Sequence, residues 1–194
     1  MVYSILFEHL EGKINLSAND KEIIKSCFVT KILKRRKSLL QEGNVCQYMA
    51  FVAQGLLKSY NTDEKGTEYV NQFTPEGWWA SDMNSFFNTL PANYTIDALE
   101  DSIVLLITAQ DFENLTLQIP KMDRYFRLLF QNSLITKERR LVNSFMLNAE
   151  EKYKLLIENS PNLVNRVPQN LLASFLGLSP STVSRLKKKI SLNH

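Results

Sequence analysis

The spacing of apolar positions changes along the chain, and each change marks a different kind of element. Residues 4–27 read as helical, and Ser17 to Asp20 is a capping box opening a short helix with Ile23, Ile24 and Cys27 on one face. From about Val29 to Ile107 the apolar segments shorten to MAFVA, LLKSY, YVNQF, YTIDAL and IVLLI, all rich in β-formers. Glycines at 43, 55, 66 and 77 recur every 11 or 12 residues, and Asp63 to Gly66 is a good turn. Short strands with even turn spacing predict an antiparallel, jelly-roll-like β-domain. Thr108 with Asp111 then opens a short helix, and Pro120 separates it from the next element. Lys121 to about Leu147 lacks Gly and Pro and sets Met122, Phe126, Leu129, Phe130, Leu134, Leu141, Phe145 and Met146 at helical spacing. A helix of about 25 residues is some 40 Å long. That exceeds the width of either flanking region, so part of its apolar stripe needs cover from elsewhere. A parallel copy from a second subunit is the simplest partner. Asn148 with Glu151 opens a further helix to about Glu158, and Ser160-Pro161 breaks it.

The last stretch, QNLLASFLGLSPSTVSRLKK at 169–188, reads as two short helices around a tight turn. Leu172, Ala173, Leu176, Gly177, Leu178, Val183 and Leu186 stand at the spacings of a DNA-binding helix-turn-helix. Ala173 is small where the second helix crosses, and Gly177 suits a turn that needs positive φ. Ser179 suits the cap of the second helix and Pro180 its first position. Val183, Leu186 and Ile190 face inward at helical spacing, leaving Ser181, Thr182, Ser184, Arg185, Lys188 and Lys189 outward. Arg185 is the first choice for direct base readout, since a guanidinium grips guanine O6 and N7 together. Ser181 and Thr182 are short and suit bases or phosphates. Lys188 and Lys189 suit phosphates. Gln169, opening the first helix, is placed to bond a phosphate.

Charge sharpens this picture. The net charge of +3 is small, but residues 61–119 hold one Lys/Arg against ten Asp/Glu, whereas residues 150–194 hold seven against three. A basic C-terminal part beside an acidic middle fits a DNA-reading end attached to something else. Cys27 and Cys46 form no CxxC pair, which argues against a disulfide framework and a four-cysteine metal site. The N-terminus has no basic n-region and no apolar run approaches the length of a membrane span, so a cytoplasmic protein is expected.

An N-terminal β-barrel, a long connecting helix and a C-terminal helix-turn-helix resemble the Crp–Fnr family of transcription regulators. The resemblance covers nearly the whole chain. It is most specific in the 169–188 window and in PEGWWASD…ANYTIDALEDSIVLLI at 75–107. The latter looks like the cassette that closes the nucleotide pocket of that family's cyclic-nucleotide-binding domain. The resemblance implies an α+β fold with a jelly-roll sensor at 1–119, a dimerisation helix at 120–147 and a helix-turn-helix domain at 148–194. It also implies a homodimer on pseudo-palindromic double-stranded DNA, reaching RNA polymerase from the promoter. The chain departs from the family in its pocket. Asp82 stands near the place of the family's ribose-binding glutamate, and Ala92-Asn93-Tyr94 where its phosphate-binding arginine would be. No Lys or Arg occurs between Lys65 and Lys121, so a buried phosphate lacks its charge-assisted contacts. Cyclic AMP and cyclic GMP are therefore expected to bind weakly or not at all. Gly77, Trp79, Asp82, Asn93, Tyr94 and Thr95 remain the candidate pocket for another ligand. Trp78, Phe86 and Phe87 are further aromatic candidates there, with barrel core and rim as the alternative place for these side chains. The family's arginine and glutamate at the positions of Pro180 and Ser181 are also missing, so its familiar operator is not expected. A wing beyond the second helix is expected to be short or missing.

Three rival readings arise from the same residues. A cupin-type metalloenzyme needs histidines in the β-region, and His9 and His194, the chain's two histidines, both lie near the ends, where they are expected to be solvated. A regulator with a diverged small-ligand pocket is the second, and a dimer whose helix-turn-helix serves protein contacts is the third. No nucleophile–base pair, P-loop or cofactor motif is present, and no enzyme activity or cofactor is expected.

Overall fold

A computed structural model describes residues 2–191, with side chains described as far as Lys189. The inward place expected for Ile190, the surroundings of His194 and any wing fall outside the described residues. The predicted N-terminal helical region is two helices, α1 (Ser4–Glu11) and α2 (Ala18–Ser26). Ser17 and Asp20 form the capping box: Asp20 N–H donates to Ser17 Oγ at 3.2 Å and Ser17 N–H to Asp20 Oδ2 at 2.7 Å.

The strands are β1 (Val29–Leu33), β2 (Ser38–Leu40), β3 (Tyr48–Gln54), β4 (Leu57–Thr62), β5 (Glu68–Thr74), β6 (Trp79–Ala80), β7 (Thr95–Ala98) and β8 (Ser102–Thr108). They form two four-stranded sheets, β1-β8-β3-β6 and β2-β7-β4-β5. The pairing is antiparallel, as in Phe51 opposite Leu105 and Leu57 opposite Ala98. Phe51, Val52, Leu57, Val104, Leu105 and Ile107 are fully buried, and because neighbouring strand residues point to opposite faces, the first sheet is covered on both sides. Gly55 sits at a bend with φ of +95°, where a Cβ would lie 2.2 Å from Ser102 Oγ, so no side chain fits.

One helix inside the β-region escapes the sequence pattern. This is α3 (Met83–Asn88), with Asp82 as its N-cap. Beyond β8 come α4 (Ala109–Gln118), α5 (Lys121–Met146), α6 (Ala149–Asn159), α7 (Pro161–Arg166), α8 (Gln169–Leu176) and α9 (Pro180–Ser191). Helix α7 is short and opens on Pro161, the residue expected only to end the preceding helix. Asn148 and Glu151 complete the predicted capping box on α6.

The chain divides into two compact units. One comprises residues 1–61 and 72–130, the other residues 62–71 and 131–194. The tip of the β4–β5 hairpin thus belongs with the C-terminal helices, and α5 contributes to both. In its first third Met122, Tyr125 and Phe126 are buried in the first unit's core. In its remainder Leu134, Ile135, Leu141, Val142, Phe145 and Met146 are 57–79 % exposed. In the second unit Tyr153, Ala173 and Val183 form a small core joined by Ile157, Leu176, Leu178 and Leu186. No helix among the described residues is long and apolar enough to cross a membrane.

Candidate nucleic-acid interface and ligand pocket

The pocket residues are drawn to one another rather than to an open space. Asp82 is 2 % exposed, and both its oxygens are engaged by the protein. Ser85 N–H donates to Oδ1 at 3.0 Å, capping α3, and Asn93 N–H donates to Oδ2 at 2.7 Å. Asn93 in turn accepts at its carbonyl from the Asn61 side chain. Tyr94 donates its hydroxyl to Ser81 O at 2.8 Å, and burial beside the Asp82 carboxylate pushes the phenol above its ordinary range. Thr95 Oγ1 accepts from Glu42 N–H at 3.1 Å. Ser85 Oγ accepts from Cys46 N–H at 2.7 Å, so Ser81, Ser85, Cys46 and Asn61 join the cluster. Ser85 meets Asp82 at a local cap spacing, but Ser81, Cys46 and Asn61 meet their partners 13 to 39 residues away, through the fold.

Gly77 and Trp79 do not join this cluster. Gly77 makes a turn at φ +79° and donates its N–H to Val52 O at 2.9 Å. Trp79 turns into the barrel core against Phe28, Phe51 and Phe126, with ring centroids 5.2–6.1 Å apart. Its indole N–H donates to Tyr125 Oη at 2.8 Å. Trp78, its neighbour just before the strand, is 50 % exposed. Phe86 is buried in the core, and Phe87 is 44 % exposed and meets it edge to face with centroids 5.0 Å apart. His9, expected to be solvated, is half-buried instead, with Nδ1 2.8 Å from Tyr125 Oη and Nε2 3.3 Å from Lys13 Nζ. Burial first, then the Lys13 charge, lowers its pKa. Among the described residues no group of three or more His, Cys, Asp or Glu is arranged to hold a metal ion.

The helix-turn-helix is built as its sequence reads. Gly177 takes φ +66°, its N–H donates to Ser174 O at 3.1 Å, and Leu178 N–H donates to Ala173 O at 2.9 Å. This double closure is a Schellman turn, which only a residue free to adopt positive φ completes cheaply. Ser179 Oγ then accepts from Thr182 N–H at 3.1 Å, capping α9. Ser179 Oγ also lies 2.9 Å from Ser181 Oγ and 2.8 Å from Thr182 Oγ1, so the three hydroxyls form one cluster at the helix start. Gln169 donates from Nε2 to Pro180 O at 3.2 Å, tying the start of α8 to the start of α9. Val183 is fully buried and Leu186 half-buried against it, while Ser184 is half-buried and Arg185 and Lys188 are exposed. Lys189 is held by Glu150, at 2.6 Å, and Glu150 also takes Lys154 at 3.0 Å. Those two ammonium groups hold the Glu150 carboxyl below its ordinary pKa. Glu150 lies 39 residues from Lys189 and carries no sequence signal of this pairing.

Comparison with known proteins gives this arrangement a family. Residues 30–118 match the model of the cyclic nucleotide-binding domain. The chain is 24 % identical to the transcriptional regulatory protein btr of Bordetella pertussis, over 94 % of this chain and 80 % of that one. Among solved structures, a protein from Eubacterium rectale assigned to the crp/fnr family of transcriptional regulators matches with a TM-score of 0.68 and 14 % identity, over 92 % of this chain and 85 % of that one. The chain is similar to transcription regulators of the Crp–Fnr family over nearly its whole length. It is a transcription regulator of the Crp–Fnr type. The structure of FixK2 from Bradyrhizobium japonicum shares the fold at a TM-score of 0.74 and 17 % identity, over 86 % of this chain and 85 % of that one.

Proposed function

We propose that this regulator is a homodimer that reads a two-fold-related operator in double-stranded DNA through α9. The observation that carries the reading is the division of α9 itself. Val183 and Leu186 pack on α8 and α6, while Arg185 and Lys188 face outward without a hydrogen bond or ion pair among the described residues. A short helix supported from behind, with a free guanidinium near its N-terminal half, is what the major groove accepts. Arg185 reads a guanine edge, and Ser184 and the Ser179–Ser181–Thr182 cluster serve the backbone and the neighbouring base. Lys188 meets phosphate, and Lys189 joins it by leaving Glu150. The exposed stripe from Leu134 to Met146 pairs with its copy in a second chain, which presents two α9 helices to successive turns of DNA. Contact with RNA polymerase follows from promoter binding by a regulator of this family. No catalytic role is assigned to any residue.

Cyclic AMP is not the effector in this reading. Both Asp82 oxygens already accept backbone N–H groups, Tyr94 occupies the neighbouring space, and the sequence from 66 to 120 holds no cation for a phosphate. Calorimetry with cyclic AMP at millimolar concentration is expected to give no binding heat; micromolar affinity would return the second reading, a nucleotide-responsive regulator.

Arg185→Ala tests the DNA reading. It costs roughly 1–3 kcal/mol per half-site and relaxes preference at one base pair in each, with the fold intact by circular dichroism. Unchanged discrimination between the operator and its single-base variants removes Arg185 from the reading role.

A further inference from the structure

The second unit contains a brace that the DNA reading does not use. Arg140 projects from α5 between Leu134 and Leu141, two residues of the exposed stripe. Its guanidinium donates from Nη2 to Phe175 O at 2.9 Å and from Nη1 to Asn71 O, and its central carbon stands 3.8 Å from the centroid of the Phe175 ring. One planar fork thus joins three segments: α5, the hairpin end of β5, and α8. Ser174, the residue before Phe175, completes the joint. Its hydroxyl accepts from Val70 N–H at 2.9 Å and donates to Glu68 O at 2.7 Å. Strand β5 is the edge of its sheet, so a single hydroxyl takes the place of a neighbouring strand there. These contacts span 35 to 106 residues of sequence.

We infer that Arg140 and Ser174 are positioning residues that fix the separation of the two recognition helices, and so the half-site spacing the dimer accepts. The inference rests on the DNA reading above. Helix α9 is held on α8 by the Schellman turn and by Val183 against Ala173. Helix α8 is held on α5 by Arg140. In a dimer joined along the α5 stripe, the distance between the two α9 helices is therefore set through Arg140, while its guanidinium touches no DNA. Loss of the brace leaves each half-site read as before but lets the pair adapt to wrong spacings, because pre-organisation is what rejects them. Lysine keeps the charge but lacks the fork that spans two carbonyls.

The test uses the full chain and an operator selected by the wild type, with its central spacer lengthened or shortened by one and two base pairs. The wild type loses on the order of tenfold or more per misplaced base pair of spacing, as expected of half-sites fixed by protein geometry. Arg140→Ala binds the best spacing roughly tenfold less tightly, and its spacing penalty shrinks to about threefold or less, with base preferences in each half-site unchanged. Arg140→Lys behaves like Arg140→Ala. Ser174→Ala loses hydrogen-exchange protection at the Val70 amide and flattens the spacing profile in part, and Ser174→Thr keeps both. A steep spacing profile in Arg140→Ala, or full function in Arg140→Lys, overturns the assignment. If the wild type selects an operator and these variants match it, only the brace fails. If the wild type selects no DNA while Val70 exchange still depends on Ser174, the DNA reading fails and the spacing role with it.

Discussion

Two polar clusters of this protein treat their hydrogen-bonding groups in opposite ways. Around Asp82 the groups close on one another: two backbone amides on the carboxylate, a phenol on a carbonyl, and an amide side chain on Asn93. Along α9 the hydroxyls of the first turn close on themselves, but Arg185 and Lys188 are left to the outside. Residues within the stretch that matches a cyclic nucleotide-binding domain thus close on one another as a structural knot. In the proposed reading its polar residues act on stability, whereas the outward residues of α9 act on recognition. Substitutions in the first cluster should move the melting temperature and leave operator choice alone; substitutions on the recognition side should do the reverse.

The strongest loss is expected outside both clusters, at the stripe that brings two α9 helices together. Leu141→Asp places an unpaired charge in the proposed seam, which costs several kcal/mol. Light scattering should show a monomer, and operator affinity should fall on the order of a hundredfold or more, each 1.4 kcal/mol being tenfold. A dimer that survives Leu141→Asp moves the interface elsewhere. Next comes Asp82→Ala, which removes the α3 cap, leaves the buried Ser85 amide without an acceptor and frees the part-buried Asn93 amide. The loss should be about 2–4 kcal/mol, seen as a lower thermal midpoint, with the salt slope of DNA binding unchanged. A normal midpoint with altered operator choice would reverse the contrast between the clusters.

Glu150→Gln probes the recognition side more gently. Freed of Glu150, Lys189 should tighten binding to all sequences by roughly two- to fivefold and steepen the salt dependence by up to about one counterion per half-site. No change in salt slope removes Lys189 from the phosphate contacts. The mildest change concerns pH. His9 faces Lys13 from its own helix and Tyr125 from α5, and its lowered pKa means the folded state prefers neutral imidazole. Its contribution to stability is complete above the unfolded value of about 6.5 and is lost as pH falls toward the lower folded value, because the unfolded chain binds more protons there. His9→Gln should flatten that part of the stability profile in urea melts; an unaltered slope assigns it to other groups.

The reading helix is legible in sequence because its determinants are local. Gly177, the Ser179-Pro180 pair and the spacing of Leu172, Leu176, Val183 and Leu186 lie within a few turns of each other. The barrel is legible as a class from its turn spacing. The pocket is less so, because tertiary packing decides which of two adjacent aromatics turns inward. Trp79 enters the core beside Tyr125, and Trp78 stays outside. Helix α3 escapes the pattern because five of its six residues are poor helix formers, and its determinant is the buried cap Asp82. The brace at Arg140 and Ser174 and the Glu150–Lys189 pair join positions too far apart for any local pattern to link.

Everything proposed for this regulator depends on two copies of α9 reading one operator. Selection of bound fragments from random double-stranded DNA by the wild type, and by Arg185→Ala in parallel, decides whether they do. The expected product is an enriched pseudo-palindrome with half-sites about one helical turn apart, centre to centre, and loss of one guanine per half-site from the Arg185→Ala consensus. Enrichment of single, unpaired sites, or an identical consensus from both proteins, would contradict it.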